Sequence, residues 1–147
     1  MIDAQEYLTS IQQAGQRIEL KIQQVKSLRE RLQSISAPLD KEQVSHTRNV
    51  AVMSDTIATI VDMEKEIDQQ ANELLNTKRE ALRLLDKTKA GSASILIKRF
   101  FENKSVQELG NILGLTRRQA QRKLTDAILE FQHVLDEEDK HIDQKAV

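Results

Sequence analysis

The chain has 147 residues and carries 22 Lys/Arg against 23 Asp/Glu, for a formal net charge of −1. It has no cysteine, which excludes disulfides and thiolate metal sites and suits a reducing compartment. Only four glycines and one proline interrupt it, and its aromatic side chains are three Phe and one Tyr. Such a composition predicts long helices arranged as one domain or two small ones. No apolar run approaches membrane-spanning length, and MIDAQEYLTS lacks the basic and apolar regions of a signal peptide. A cytoplasmic location with no membrane partner is expected.

From residue 3 to about 36 the pattern is that of one long helix. Leu8, Ile11, Gly15, Ile18, Ile22, Val25, Leu28, Leu32 and Ile35 recur at alternating three- and four-residue steps, a heptad-like seam among polar residues. Ser36-Ala37-Pro38 stops it, because the residue before a proline disfavours the helical region. A polar segment to about residue 48, containing His46, reads as a loop. The second long helix is expected to start near Asn49, or at Ser54 if the cap lies there, and to end near Gly91. Its seam runs Val50, Met53, Ile57, Ile60, Met63, Ile67, Ala71, Leu74, Lys78, Leu82 and Leu85. Neither helix buries its stripe alone, so an antiparallel hairpin is the economical arrangement. Two helices leave a thin core, which makes a homodimer the expected state. The alternative is a monomer in which the hairpin packs back on the C-terminal helices.

Thr88 to Ser92 reads as a hinge. Ser92 to Glu102 is expected to be a short helix whose Ile95, Leu96, Phe100 and Phe101 supply core. Two helix starts then follow in quick succession. Ser105 with Glu108, and Thr116 with Gln119, each have the spacing of a capping box, in which side chain and backbone satisfy one another's orphan groups. Gly114 stands where the first of these helices should end, and glycine tolerates the left-handed conformation of a helix C-terminus. Val106, Leu109, Ile112 and Leu113 share one face of the first helix. Ala120, Leu124, Ala127, Ile128 and Phe131 share one face of the second. Gly110, inside the first helix, costs about 1 kcal/mol relative to alanine. A small residue there is expected if the two helices approach closely.

The second helix, 116–131, carries the chemistry. Its 3.6-residue period puts Arg118 and Arg122 opposite the Ala120/Leu124 stripe, with Gln119 and Gln121 flanking them and Arg117 and Lys123 nearer the sides. Arginine grips guanine bidentately and glutamine does so with adenine, so this ridge suits the reading of base edges. Two capped helices joined at a turn glycine, the second one basic, form the pattern of a helix-turn-helix. Charge is segregated to match: Lys98 to Lys123 holds seven Lys/Arg against two Asp/Glu, and Leu124 to Val147 holds two against seven. The basic block suits a polyanion. The acidic end reads first as a solvated tail, with an intramolecular competitor for the basic face or a protein contact as alternatives.

Enzymatic readings find little footing. There is no phosphate-cradling glycine loop, no histidine paired with a nucleophile and no carboxylate pair that stands out from the charged helices. His133, Glu137 and His141 would line one helix face without further ligands nearby, so neither a metal nor a cofactor is expected. Tyr7 reads as a packing anchor.

With Glu108-Leu109-Gly110, Leu113-Gly114-Leu115-Thr116 and Arg117 to Leu124 laid out, the module resembles the region of bacterial sigma factors that reads the promoter −35 element. The whole chain also resembles a group of small phage and prophage proteins of Gram-positive bacteria. These share an A-x-x-YL first helix, matched by Ala4, Tyr7 and Leu8, and a second helix matched by Ser54, Asp55, Ile57, Glu64, Glu66 and Ile67. The ArpU and RinA families of late-gene transcription activators are similar.

The fold expected is therefore all-α, a long antiparallel helical hairpin (coiled coil) followed by a trihelical helix-turn-helix domain. Residues 1–90 would serve oligomerisation or partner binding, 91–134 would bind DNA and 135–147 would form the acidic tail. The function expected is sequence-specific binding of double-stranded DNA by a phage-type transcriptional regulator, with RNA polymerase a further partner. Arg118, Gln119, Gln121 and Arg122 would read bases. Arg117, Lys123 and Lys104 would position the backbone, with Thr116 and Thr125 bounding the contact. The alternatives are a terminase small subunit, which recognises DNA for packaging, and a coiled-coil adaptor that binds an acidic protein surface.

Overall fold

The computed structural model describes residues 2–36 and 44–145, and every regular element among them is helical. Helix α1 spans Ala4–Ser36, α2 Val44–Leu85, α3 Ala90–Leu96, α4 Val106–Leu113 and α5 Arg117–Lys145, with a π-helical turn at Ile97–Phe101 continuing α3. The all-α class expected from composition is thus the observed one. Among the described residues no helix is long and apolar enough to cross a membrane.

Two compact units result. One contains residues 1–15 and 74–147, and the other residues 16–73. The division falls inside the two long helices and not at the hinge expected near residue 90. The reason is the composition of the first unit's core. Ala4 and Leu8 from the start of α1 and Leu84 and Leu85 from the end of α2 are buried with Ile95, Leu96 and Phe100. Leu109 of α4 and Ala120, Leu124, Ala127, Phe131 and Leu135 of α5 complete the cluster. The four long-helix residues supply about a third of that apolar core, so the C-terminal helices do not close on themselves.

Polar contacts fix the same join. Asp3 caps α1, its carboxylate accepting from the Glu6 N–H at 2.9 Å. The Ala4 N–H, one of the orphan donors of that helix start, donates to the Gln132 side chain on α5 at 2.7 Å. The Gln132 amide in turn donates to the Ile2 carbonyl at 2.9 Å. Tyr7 rests on Phe131 with ring centroids 5.9 Å apart, which is the packing role expected of it. Its half-burial raises the phenol pKa, with Glu80 adding to the rise and Arg83 opposing it.

In the other unit α1 and α2 run antiparallel. Lys21 pairs with Glu66 at 2.6 Å and donates to Gln70 at 2.8 Å, and Arg29 pairs with Glu64. Residue numbers rise along one helix as they fall along the other. Val25 and Ile60 are its buried apolar residues, whereas Leu20, Ile22, Val50, Ile57 and Val61 stay exposed. A two-helix layer has too little partner surface to cover more.

Three boundaries differ from expectation. Helix α2 begins at Val44, so residues 44–48, expected in a loop, are helical, and Pro38 lies outside the described residues. The same helix ends at Leu85 and not near Gly91. There the Thr88 hydroxyl donates to the Leu85 carbonyl at 2.6 Å and the chain turns. The helix expected over 92–102 starts at Ala90 and widens into the π-turn. The Lys104 N–H closes that turn onto the Lys98 carbonyl at 3.0 Å, with Asn103 in the left-handed region at φ 57°.

Candidate nucleic-acid interface

The turn between α4 and α5 follows from its residues one by one. Ser105 accepts from the Glu108 N–H at 3.1 Å while the Glu108 carboxylate accepts from the Ser105 N–H at 3.4 Å, so the capping box is complete. Gly114 ends α4 at φ 69°, in the left-handed region. Gly110 is required for another reason. A Cβ built on it would stand 2.8 Å from the Leu115 carbonyl oxygen, and the Leu115 N–H bonds back to the Gly110 carbonyl at 2.8 Å. The turn folds directly over the glycine. Thr116 then opens α5, accepting from the Gln119 N–H at 3.2 Å, while the Gln119 side chain accepts from the Thr116 N–H at 3.0 Å.

Helix α5 buries Ala120, Leu124, Ala127, Phe131 and Leu135 and exposes Arg117, Arg118, Gln121, Arg122 and Lys123. None of these four cations takes part in an ion pair among the described residues. They form a solvated ridge of four uncompensated positive charges over a buried alanine and leucine line.

The remaining expected site residues are not equally free. Thr116 and Gln119 are exposed but engaged with each other in the cap, which leaves only the Gln119 amide NH₂ for an outside partner. Gln121 and Thr125 are coupled at 3.5 Å, and the Thr125 hydroxyl donates to the Gln121 carbonyl at 3.0 Å. Lys104 is half-buried with its ammonium 4.0 Å from Glu108. On α4, Leu109 is buried, but Ile112 and Leu113 are exposed, contrary to the shared apolar face expected there. The helix is too short for its last turn to reach the core.

The acidic end is helical, packed at Leu135 and Glu138 and exposed from Lys140 to Asp143. Helix α5 runs unbroken to Lys145, with Leu135 in the core. Glu138 pairs with Lys87 at 2.7 Å and Arg83 at 2.9 Å, and these two cations hold its carboxyl down to about 2. Glu130 is likewise a structural group. It accepts from the Lys89 N–H at 2.7 Å and the Ser92 hydroxyl at 2.6 Å, capping a helix start that has no side-chain cap of its own. The Ser92 and Lys89 bonds hold its pKa below the usual carboxylate range. A continuous helix also removes the intramolecular competitor. Asp136 stands about 20 Å along the axis from Arg122 at 1.5 Å per residue and cannot fold back on it. Farther along, His133 meets Glu137 at 3.3 Å, and no group of three or more metal-ligating side chains comes together among the described residues.

Sequence reasoning passed over Arg99. On the π-turn it lies 5.8 Å from the Phe100 ring and donates to the Lys104 carbonyl at 3.2 Å. It has no carboxylate partner among the described residues. It borders a cleft of about 420 Å³ between the first turns of α1 and the Gln121/Thr125 side of α5. The signal available was its place in the basic block beginning at Lys98. Which way it faces depended on the π-turn.

No family model, curated protein or solved structure matches this chain.

Proposed function

We propose that the protein is a transcriptional regulator of phage type that binds double-stranded DNA by laying the N-terminal half of α5 in the major groove. The observation that carries this reading is the exposed ridge of Arg117, Arg118, Arg122 and Lys123, free of ion pairs among the described residues, above buried Ala120 and Leu124. A groove about 12 Å wide admits one helix, and guanidinium forks on its outer face meet guanine edges. Arg118 and Arg122 read bases in this account, joined by Gln121 and the free amide of Gln119. Arg117 and Lys123 meet phosphates. A basic face left unpaired within its own chain costs self-repulsion, which a polyanion removes.

The exposed apolar side chains of residues 16–73 support self-association, and we assign the protein as a cytoplasmic homodimer. RNA polymerase is a second partner under the same reading. Selection of bound fragments from random duplexes tests it. A shared site repeated at about one helical turn is the expected result for a dimer, and its enrichment should vanish in Arg118→Ala/Arg122→Ala. Absence of any enrichment, with no duplex affinity at low salt, would refute the reading. Solution mass should be that of a dimer. An octamer or larger ring would point to DNA packaging.

A further inference from the structure

The cleft beside α5 has the chemistry of an anion seat. Its walls carry Gln5, Thr9 and Gln12 from α1, Arg99 from the π-turn, and Gln121 and Thr125 from α5. No carboxylate lines it. The guanidinium of Arg99 is held against the Phe100 ring and the Lys104 carbonyl, an arrangement that fixes its position and leaves further N–H groups unused. Gln12 secures the same turn from the other side, donating to the Arg99 carbonyl at 3.2 Å. The cation is thus placed by packing and not by a counter-charge.

A helix lying in a major groove has a phosphodiester strand along each flank. On α5, Lys123 lies about 100° to one side of Leu124 and Thr125 about 100° to the other, at 3.6 residues per turn. The first flank has its own cation. The second has Arg117 at the helix start and, about a turn further on, the amide of Gln121 and the hydroxyl of Thr125, both on the cleft wall, where Arg99 supplies the charge. Leu129, at the cleft rim, is 64% exposed and suits deoxyribose carbon better than phosphate oxygen.

We infer that this cleft seats a backbone phosphate of the bound duplex, with Arg99 as its cation and Thr9 and Gln12 of α1 on its far wall. The inference rests on the proposed DNA-binding reading and extends that interface to the first helix of the chain.

Salt titrations of binding to a mixed-sequence duplex about three helical turns long, between about 50 and 200 mM salt, test it. Arg99→Gln should reduce the slope of log K against log salt by about one and weaken binding about eightfold at 0.1 M salt. Arg99→Lys should keep the parent slope, because it keeps the charge. Thr9→Lys, on the opposite wall, should steepen the slope by about one without disturbing the Arg99 packing. An unchanged slope in Arg99→Gln, an equal loss in Arg99→Gln and Arg99→Lys, or no steepening in Thr9→Lys would overturn the inference. If parental binding depends on Arg118 and Arg122 but ignores these three changes, the DNA reading stands without the cleft. If the parent binds no duplex, both fall.

Discussion

Replacing Gly110 with alanine sets two effects of opposite sign against each other. In a free helix the change is favourable by about 1 kcal/mol, because alanine restricts the unfolded chain and propagates the helix better. Here the added methyl would stand 2.8 Å from the Leu115 carbonyl oxygen and 3.5 Å from backbone atoms of Thr116. Carbon and carbonyl oxygen normally meet at about 3.3–3.6 Å, so the deficit is about 0.5 Å. The obstructing atoms are backbone, and the Leu115 N–H is bonded to Gly110 itself at 2.8 Å, so the turn cannot retreat without stretching that bond. Overpacking of this kind costs about 1–3 kcal/mol. Because the obstruction is backbone, the upper half of that range, about 2–3 kcal/mol, applies; less the propensity gain of about 1, a net loss of about 1–2 kcal/mol is expected, a fall in melting temperature of roughly 2–8 °C for a chain of this size. Thermal melts followed by circular dichroism measure it. Gly91→Ala is the control: nothing lies within 4 Å of its Cβ in α3, and a gain of about 0.4–1 kcal/mol is expected. A Gly110→Ala protein that melts at or above the parent would refute the close-approach argument.

Leu8→Ala, far from the C-terminal helices in sequence but fully buried among them, should cost about 2–5 kcal/mol in a denaturant melt. For the same reason a fragment of residues 91–147 should lack a cooperative thermal transition. Glu130→Gln should lower stability by about 0.5–2 kcal/mol through loss of the α3 cap, measurable as an earlier denaturant midpoint. Glu138 has a folded-state pKa of about 2, below its unfolded value, so its pairing stabilises the fold above the ordinary carboxylate range. That contribution should fade as pH falls from about 4.5 towards 2, and the acid transition of Glu138→Gln should lack it.

Local signals made the α4–α5 pair legible. Both capping boxes, the left-handed Gly114 and the Ala120/Leu124 stripe are short-range patterns, and each fixes geometry within a few residues. Ala4, Leu8 and Gln132 could not be assigned that way. Their role depends on two distant parts of the chain meeting, and a heptad-like seam reads the same whether its partner is another long helix or a bundle of short ones. The π-turn was hidden for a related reason: SASILIKRFFE fits an ordinary helix until the closure at Asn103 and Lys104 widens it. The acidic C-terminus misled because charge density outweighed the Leu124-Phe131-Leu135 line running beneath it. Ile112 and Leu113 fit an amphipathic period, but the helix that carries them stops too soon to use it.

The central claim is that the exposed arginines of α5 grip duplex DNA. Fluorescence-anisotropy titration of the parent and of Arg118→Ala/Arg122→Ala against a selected duplex site tests it most directly. A loss of about 1–3 kcal/mol per arginine at that site, with folding unchanged, is the expected result. Equal affinity of the two proteins would contradict it.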